Sequence, residues 1–177
     1  MRSILLRRVG AYGIDITLLF VILTPLGFLV QWMLGLGPSS TPQEVYFTLV
    51  LNFSLPVWVY FTLADRSESG ATLGKRSLSI CTQAEGGEPV GLGQALARTA
   101  VKMVPWEVTH ASAFLFAPAI GELATENWVG IGAAYVLVFV YLVVAWRTQG
   151  RRSVHDLVAS TSVERAATSL SHSAYVS

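Results

Sequence analysis

Arg8-Val9-Gly10-Ala11-Tyr12-Gly13-Ile14-Asp15 opens the first long apolar run of the chain, and from Val9 to Gln43 Asp15 is its one charged residue. An ionised carboxylate inside a membrane-spanning helix is unfavourable by roughly 2.5–3.5 kcal/mol on insertion scales. It needs a partner, a proton or water. Arg8 lies two helical turns back on nearly the same face, with Tyr12 between them. Two readings stand. In one, Arg8 and Asp15 form an ion pair that fixes helix packing. In the other, Asp15 exchanges a proton or a cation. Gly10 and Gly13 carry no side chain and would let another helix approach closely.

Composition extends that reading to the whole chain. Of 177 residues, 53% are apolar and 13% charged, and the mean hydropathy is +0.54. A soluble domain carries about 25% charged residues. The deficit, with three long uncharged runs, implies an all-α integral membrane protein forming a single unit over residues 1–165. A disordered tail is expected over 166–177. The lone Cys81 excludes an intrachain disulfide and offers no metal cluster. The N-terminus resembles a signal-peptide n-region. The apolar run after it is too long for a signal and lacks a cleavage site, so it reads as a retained helix.

The first span runs from about Val9 to Leu34, with Pro25 bending it and Trp32 near its far end. The second, Val45 to Ala64, places Thr48, Asn52 and Pro56 on one face. Pro56 leaves the Asn52 carbonyl short of a partner, and the Asn52 side chain reads as an interhelical hydrogen-bonding group ahead of a ligand contact. The polar stretch that follows contains Gly70-Ala71-Thr72-Leu73-Gly74-Lys75-Arg76. This is not a P-loop: three residues separate the glycines where four are required, and Arg76 replaces the hydroxyl residue that holds Mg²⁺. Ser77 to Gln83 alternates polar and apolar, and Glu85–Glu88 reads as a turn. A short strand or hairpin is expected there. Leu92 to Ile120 reads as one helix kinked at Pro105, with Glu107 and His110 on one face. Asn127 to Trp146 is a span without a charge, thinned at Gly130 and Gly132. Ser153 to Asp156 reads as a short turn and Leu157 to Val163 as an extended segment.

Charge placement counts the crossings. With four spans and both termini cytoplasmic, the loops at 35–44 and 120–126 face out, and neither contains Lys or Arg. All 12 basic residues then lie inside. A three-span arrangement would divide them. The four-span arrangement gathers Arg8, the Gly70–Arg76 loop, Arg98 and Asp156 at one membrane face.

These residues, in this order, resemble the RDD family of small multi-pass membrane proteins, named for an Arg and two Asp. Arg8-x-x-Ala11-x-x-x-Asp15 matches the first Arg and Asp, and His155-Asp156 the second Asp. Gly70, Thr72, Gly74 and Lys75 match the family's loop pattern, and Arg98 the Arg after the strand. The closing Ala-Gly-Thr-x-Val stands as Ala159-Ser160-Thr161-Ser162-Val163, with Ser160 for Gly. Arg151-Arg152 departs from the uncharged pair common in the family and would add positive charge near Asp156. The resemblance implies transport, with cation/proton antiport attributed to some members.

The expected function is therefore transport, by cation/proton exchange or small-solute movement, in a homo-oligomer of the plasma or inner membrane. The partners expected are the bilayer and a monovalent cation or proton. Arg8, Asp15, Arg98 and Asp156 would form the ion-handling or structural charge network, with Tyr12, Asn52, Glu107 and His110 as secondary intramembrane polar groups. The alternative is a scaffold or assembly subunit of a larger membrane complex. Catalysis is not expected, because Ser153, His155 and Asp156 are too close in sequence to form a triad. Glu107 and His110 lack the second Glu-x-x-His of a metal bundle. No cofactor and no nucleic acid are expected, since the basic residues follow the membrane boundary.

Overall fold

The computed structural model describes residues 4–166, so the expected tail lies, Ala166 apart, outside the described residues. The first apolar run becomes α1 (Ile4–Met33), which continues through Pro25. The second becomes α2 (Pro42–Leu49), a π turn at Val50–Ser54 and α3 (Leu55–Arg66). The Thr41 side chain caps α2 by accepting the Glu44 N–H at 3.2 Å, with Pro42 in the first turn. The π turn ends two residues before Pro56, whose ring lacks the N–H that a regular helix would give to Asn52. The last run becomes α6 (Thr125–Arg147). Ile4–Met33, Pro42–Arg66 and Thr125–Arg147 are long and apolar enough to cross a membrane. A fourth long helix, α5 (Leu92–His110), runs through Pro105 and ends in a second π turn, Ala111–Leu115.

Burial is inverted relative to a soluble protein. Phe28, Trp32, Val129, Tyr135 and Phe139 are exposed, while Asp15, Asp65, Arg98, Asn127 and Asp156 are buried. That is the pattern of a protein whose outer surface meets hydrocarbon. The apolar core is small: Leu19 of α1, Phe53, Val57 and Phe61 of the second hydrophobic segment and Met103 of α5. α6 is held to α5 by polar contacts: Asn127 Nδ2 donates to the Ser112 carbonyl at 2.6 Å and the Tyr141 hydroxyl to the Val101 carbonyl at 2.7 Å.

Two short helices, α4 (Leu73–Ser77) and α7 (Val154–Val158), and two strands, β1 (Ile80–Ala84) and β2 (Thr161–Arg165), occupy the segments after α3 and after α6. β1 and β2 pair antiparallel, Ile80 opposite Arg165 and Ala84 opposite Thr161. The strand is where the alternation put it, but it does not form a hairpin within its own loop. Its partner comes from the C-terminal segment, because the turn at 85–88 leads directly into α5 and leaves β1 an open edge. The segment expected to be extended from Leu157 is helical to Val158 and becomes a strand only at Thr161. No helix approaches at Gly13, which faces open space; Gly10 meets the Leu78 side chain instead.

Candidate functional site

α1 and α5 begin, and α3 and α6 end, at one end of the bundle, and the buried charges gather there. Asp156 accepts from Arg8 Nη2 at 2.6 Å, from Arg98 Nη1, and from the Ser153 N–H at 2.7 Å. Arg98 turns its Nε to Asp65 at 2.8 Å, and Lys75 Nζ reaches the other oxygen of Asp65 at 2.5 Å. The chain of contacts Arg8–Asp156–Arg98–Asp65–Lys75 therefore ties together α1, α7, α5, α3 and α4. Thr161 and Thr82, on the paired strands, supply further hydroxyls to Arg98 and Lys75. Burial pushes the Lys75 ammonium down to about 8 against the pull of Asp65.

Asp15 lies outside this chain of ion pairs, so the Arg8–Asp15 pair that one of the two readings expected does not form. Its Oδ1 accepts from the Tyr60 hydroxyl and the Gly74 N–H, each at 2.7 Å, and its Oδ2 from the Thr72 hydroxyl at 2.6 Å. The spacing was compatible with an Arg8–Asp15 pair, but Arg8 is drawn across to His155 and Asp156. The glycine-containing loop serves this carboxylate rather than a phosphate. Thr72 caps α4, accepting the Lys75 N–H at 3.2 Å, and so aims the α4 backbone at α1. Gly74 is required by close approach: a Cβ there would stand 2.1 Å from the Ala11 carbonyl oxygen. Gly70 has φ +56° and lies against the Thr82 carbonyl of β1.

Of the secondary polar residues, only Asn52 and His110 share a site, the second cavity described below. Tyr12 stacks on Phe61, and the Lys102 ammonium sits over both rings, 3.2 Å from the Phe61 centroid and 5.1 Å from that of Tyr12. Asn52 packs against Gly27 of α1. Glu107 accepts from Trp58 Nε1 at 3.3 Å, whereas His110 Nδ1 lies 2.8 Å from the Trp106 carbonyl. Arg151 and Arg152 do not alter the partners of Asp156; they turn to Glu164 and Glu85.

Two cavities occupy the bundle. One, of about 480 Å³, lies between α1, α5 and α6 at the charged end. Arg8, Lys75, Arg98 and Lys102 line it, with Asp15 as its one carboxylate. The other, of about 420 Å³, lies between α1, the second hydrophobic segment and α5, towards the Pro38–Ser39 loop, and is lined by Thr24, Gln31, Thr48, Asn52 and His110. Trp106 is a wall of both. Its ring stacks on Phe53 at 5.3 Å and lies against His110 at 4.2 Å, and its indole N–H is buried without a partner.

His155 borders the first cavity, and its neighbours bear on its tautomer. Arg8 Nη2 lies 3.0 Å from His155 Nε2. A guanidinium can only donate, so this contact favours an accepting Nε2 and a proton on Nδ1, over the longer 3.4 Å approach of Nε2 to Asp156 Oδ2. Nδ1 is buried and has no partner. Burial, then Arg98 and Arg8, hold this imidazole well below the usual histidine range, which agrees with a neutral ring.

The sequence singled out Arg8, Asp15, Arg98, Asp156 and Lys75, and all five belong to this end of the bundle. It missed Asp65, Tyr60, Lys102 and Trp106. Asp65 had a visible signal: it is a carboxylate ending an apolar run. Lys102 lies one helical turn after Arg98. Tyr60 and Trp106 read as ordinary aromatic residues of apolar helices. No curated protein and no solved structure matches the chain. The model of the RDD family matches residues 2–160, which contain every member of the charge network, and the chain belongs to that family.

Proposed function

We propose that the protein is a four-span transporter of a small solute in the cell's plasma or inner membrane, with both termini cytoplasmic. The observation that carries this reading is the pair of cavities at opposite ends of the bundle, separated by Trp106. A solute site reached alternately from two sides needs two chambers and a movable partition. Trp106 follows Pro105, which removes a backbone hydrogen bond from α5 and gives the helix a point of flexure. The four-span arrangement is supported by the Arg8–Asp156 pair and the β1–β2 ladder, which bring the N-terminal end of α1, the loop after α3 and the C-terminal segment to one side.

Cation/proton exchange through Asp15 sits less well with the geometry. The carboxylate would have to release three hydrogen bonds to take a cation, in a chamber lined by four basic side chains. The Arg/Asp network favours a second reading, a scaffold subunit, in so far as its ions are already paired with one another. Purified full chain in vesicles separates the two. Transport predicts movement of a trapped small organic solute, and Trp106→Ala, which joins the chambers, should change its rate at least several-fold. If wild-type vesicles move neither Na⁺, K⁺ and Li⁺ under a pH gradient nor small organic solutes, the scaffold reading stands.

A further inference from the structure

We propose that the cavity at the charged end binds the phosphate group of an acidic phospholipid, whose tails leave the protein between α1 and α6. This goes beyond the transport reading: the lipid is a bound ligand of the cavity, and its site stands or falls independently of solute movement. Charge comes first. Arg8, Lys75, Arg98 and Lys102 line the cavity with Asp15, and counting the carboxylates Asp65 and Asp156 that pair with the first three from behind its wall leaves four cations against three anions. Lys102 is the cation outside the ion pairs among the described residues: its ammonium lies over the Tyr12 and Phe61 rings, and Asp65 and Asp15 act on it only from beyond contact distance. Hydrogen bonding agrees. Two residues that line the cavity, Trp106 and His155, each carry a buried ring N–H without a partner, at Nε1 and Nδ1, which a ligand reaches once these side chains turn. His155 is only 8% exposed. A chamber with a surplus cation and unpaired donors is complementary to an acceptor-rich anion, and buried donors without acceptors are unfavourable.

The rest of the wall selects for a tail. α1 packs on α4 and on the first π turn, and α6 packs on α5, so α1 and α6 hardly touch. Val9, Tyr135, Val138 and Leu142 line the gap, and all four are exposed. An anion with an apolar continuation fits this gap, whereas a small soluble ion would leave it open to hydrocarbon.

The experiment uses the full chain purified in mild detergent and stripped of lipid. Native mass spectrometry and thermal melting are read with phosphatidylglycerol, phosphatidylcholine, glycerol 3-phosphate and inorganic phosphate. Phosphatidylglycerol should bind at least ten-fold more tightly than phosphatidylcholine, and more tightly than either soluble phosphate. Lys102→Met keeps the apolar stem and gives up no ion pair among the described residues, and it should lose most of that preference. Trp106→Phe keeps the ring, removes one donor and should weaken binding three- to ten-fold. Equal binding of the two lipids, indifference to Lys102→Met, or a second copy of the chain occupying the gap without lipid would overturn the proposal. Tight binding of glycerol 3-phosphate equal to that of the lipid would overturn the tail. Anionic-lipid binding with no solute movement leaves this site standing and removes the transport reading. Movement of a solute with no anion preference does the reverse.

Discussion

Arg8 and Asp156, 148 positions apart, form a 2.6 Å ion pair, with Asp156 fully buried. The pair fixes the start of α1 to α7. Removing one member of a buried pair costs about 3–5 kcal/mol, because the other charge stays behind. Arg8→Met and Asp156→Asn should therefore each destabilise by about that amount. The double variant should recover part of the sum, with a coupling of about 1–3 kcal/mol. Arg8→Met combined with Asp15→Asn should be close to additive, since those residues have separate partners. Thermal melting in detergent checks both cycles. Strong coupling of Arg8 to Asp15 and none to Asp156 would contradict the assignment.

Gly74 is the narrowest point between α4 and α1. A methyl group there would overlap the Ala11 carbonyl and lie 2.9 Å from the Asp15 carboxyl carbon. Backbone atoms cannot swing aside as a side chain can. Gly74→Ala should cost at least about 2–3 kcal/mol, while Gly13→Ala, which meets nothing within 4 Å, should cost little. Comparing the two melting temperatures tests the distinction.

Much of this arrangement was legible in the sequence, and the exceptions share a cause. The apolar runs announced three helices, and the alternation from Ser77 announced β1, because local periodicity records local structure. The order of Arg8, Asp15, the glycine loop, Arg98 and Asp156 identified the residues that gather at one end. Their pairing was not legible. Arg8 and Asp15 have the spacing of helix neighbours, but the choice of Asp156 is made by α7 arriving from the far end of the chain. The partner of β1 was hidden for the same reason, since nothing near Ile80 records the position of Thr161. Tyr60 illustrates another limit: its hydroxyl accepts the Leu73 N–H and donates to Asp15, a role that an apolar-helix pattern does not mark.

His155 gives the protein an acid limb. The folded ring is held neutral, well below the usual histidine pKa, by burial and by Arg98 and Arg8. The unfolded ring takes up a proton near pH 6.5. Below that pH the unfolded state binds more protons, so stability present at pH 7 is lost as the pH falls. One group gives a slope of at most about 1.4 kcal/mol per pH unit, or up to about 2 kcal/mol between pH 7 and 5. His155→Gln keeps an acceptor for Arg8 and should flatten this part of the profile. Denaturant midpoints at pH 7, 6 and 5 give the measurement, and an unchanged slope in the variant would reassign the effect.

Ser160 occupies the position where the family's closing motif has glycine, and its φ is +50°. That left-handed conformation costs a side-chain-bearing residue roughly 1–2 kcal/mol relative to glycine. Part of the gain is offset by the greater freedom of glycine in the unfolded chain. The contacts of Ser160 that hold the turn are made by its backbone: its carbonyl accepts the Glu85 N–H at 3.1 Å and its N–H reaches the Leu157 carbonyl. Ser160→Gly should retain them and stabilise the protein by about 0.5–1 kcal/mol. A lower melting temperature would mean that the hydroxyl has a role of its own.

The direction of α5 gives the proposed four-span topology a direct test. Helix α5 starts at the charged end, where Arg98 meets Asp65 and Asp156. Helix α6 finishes at that same end, since Ser153, just beyond it, donates to the Tyr141 carbonyl and Gly150 lies against Leu5 at the start of α1. For both to hold, the connection between them at residues 116–124 must lie at the opposite end. In the four-span arrangement proposed above, helix α5 with its π turn would be the remaining crossing, although its charged first half keeps it out of the apolar class of the other three. The absence of Lys and Arg from residues 35–44 and 120–126 agrees with both loops facing out. Single cysteines introduced at Ser40 and Ala124, with Cys81→Ser removing the native thiol, should react with an impermeant reagent added outside intact cells. Cysteines at Glu85 and Arg151 should react only after permeabilisation. Outside labelling at Ser40 combined with protection at Ala124 would mean that α5 does not cross, and would place the start of α6 on the cytoplasmic side.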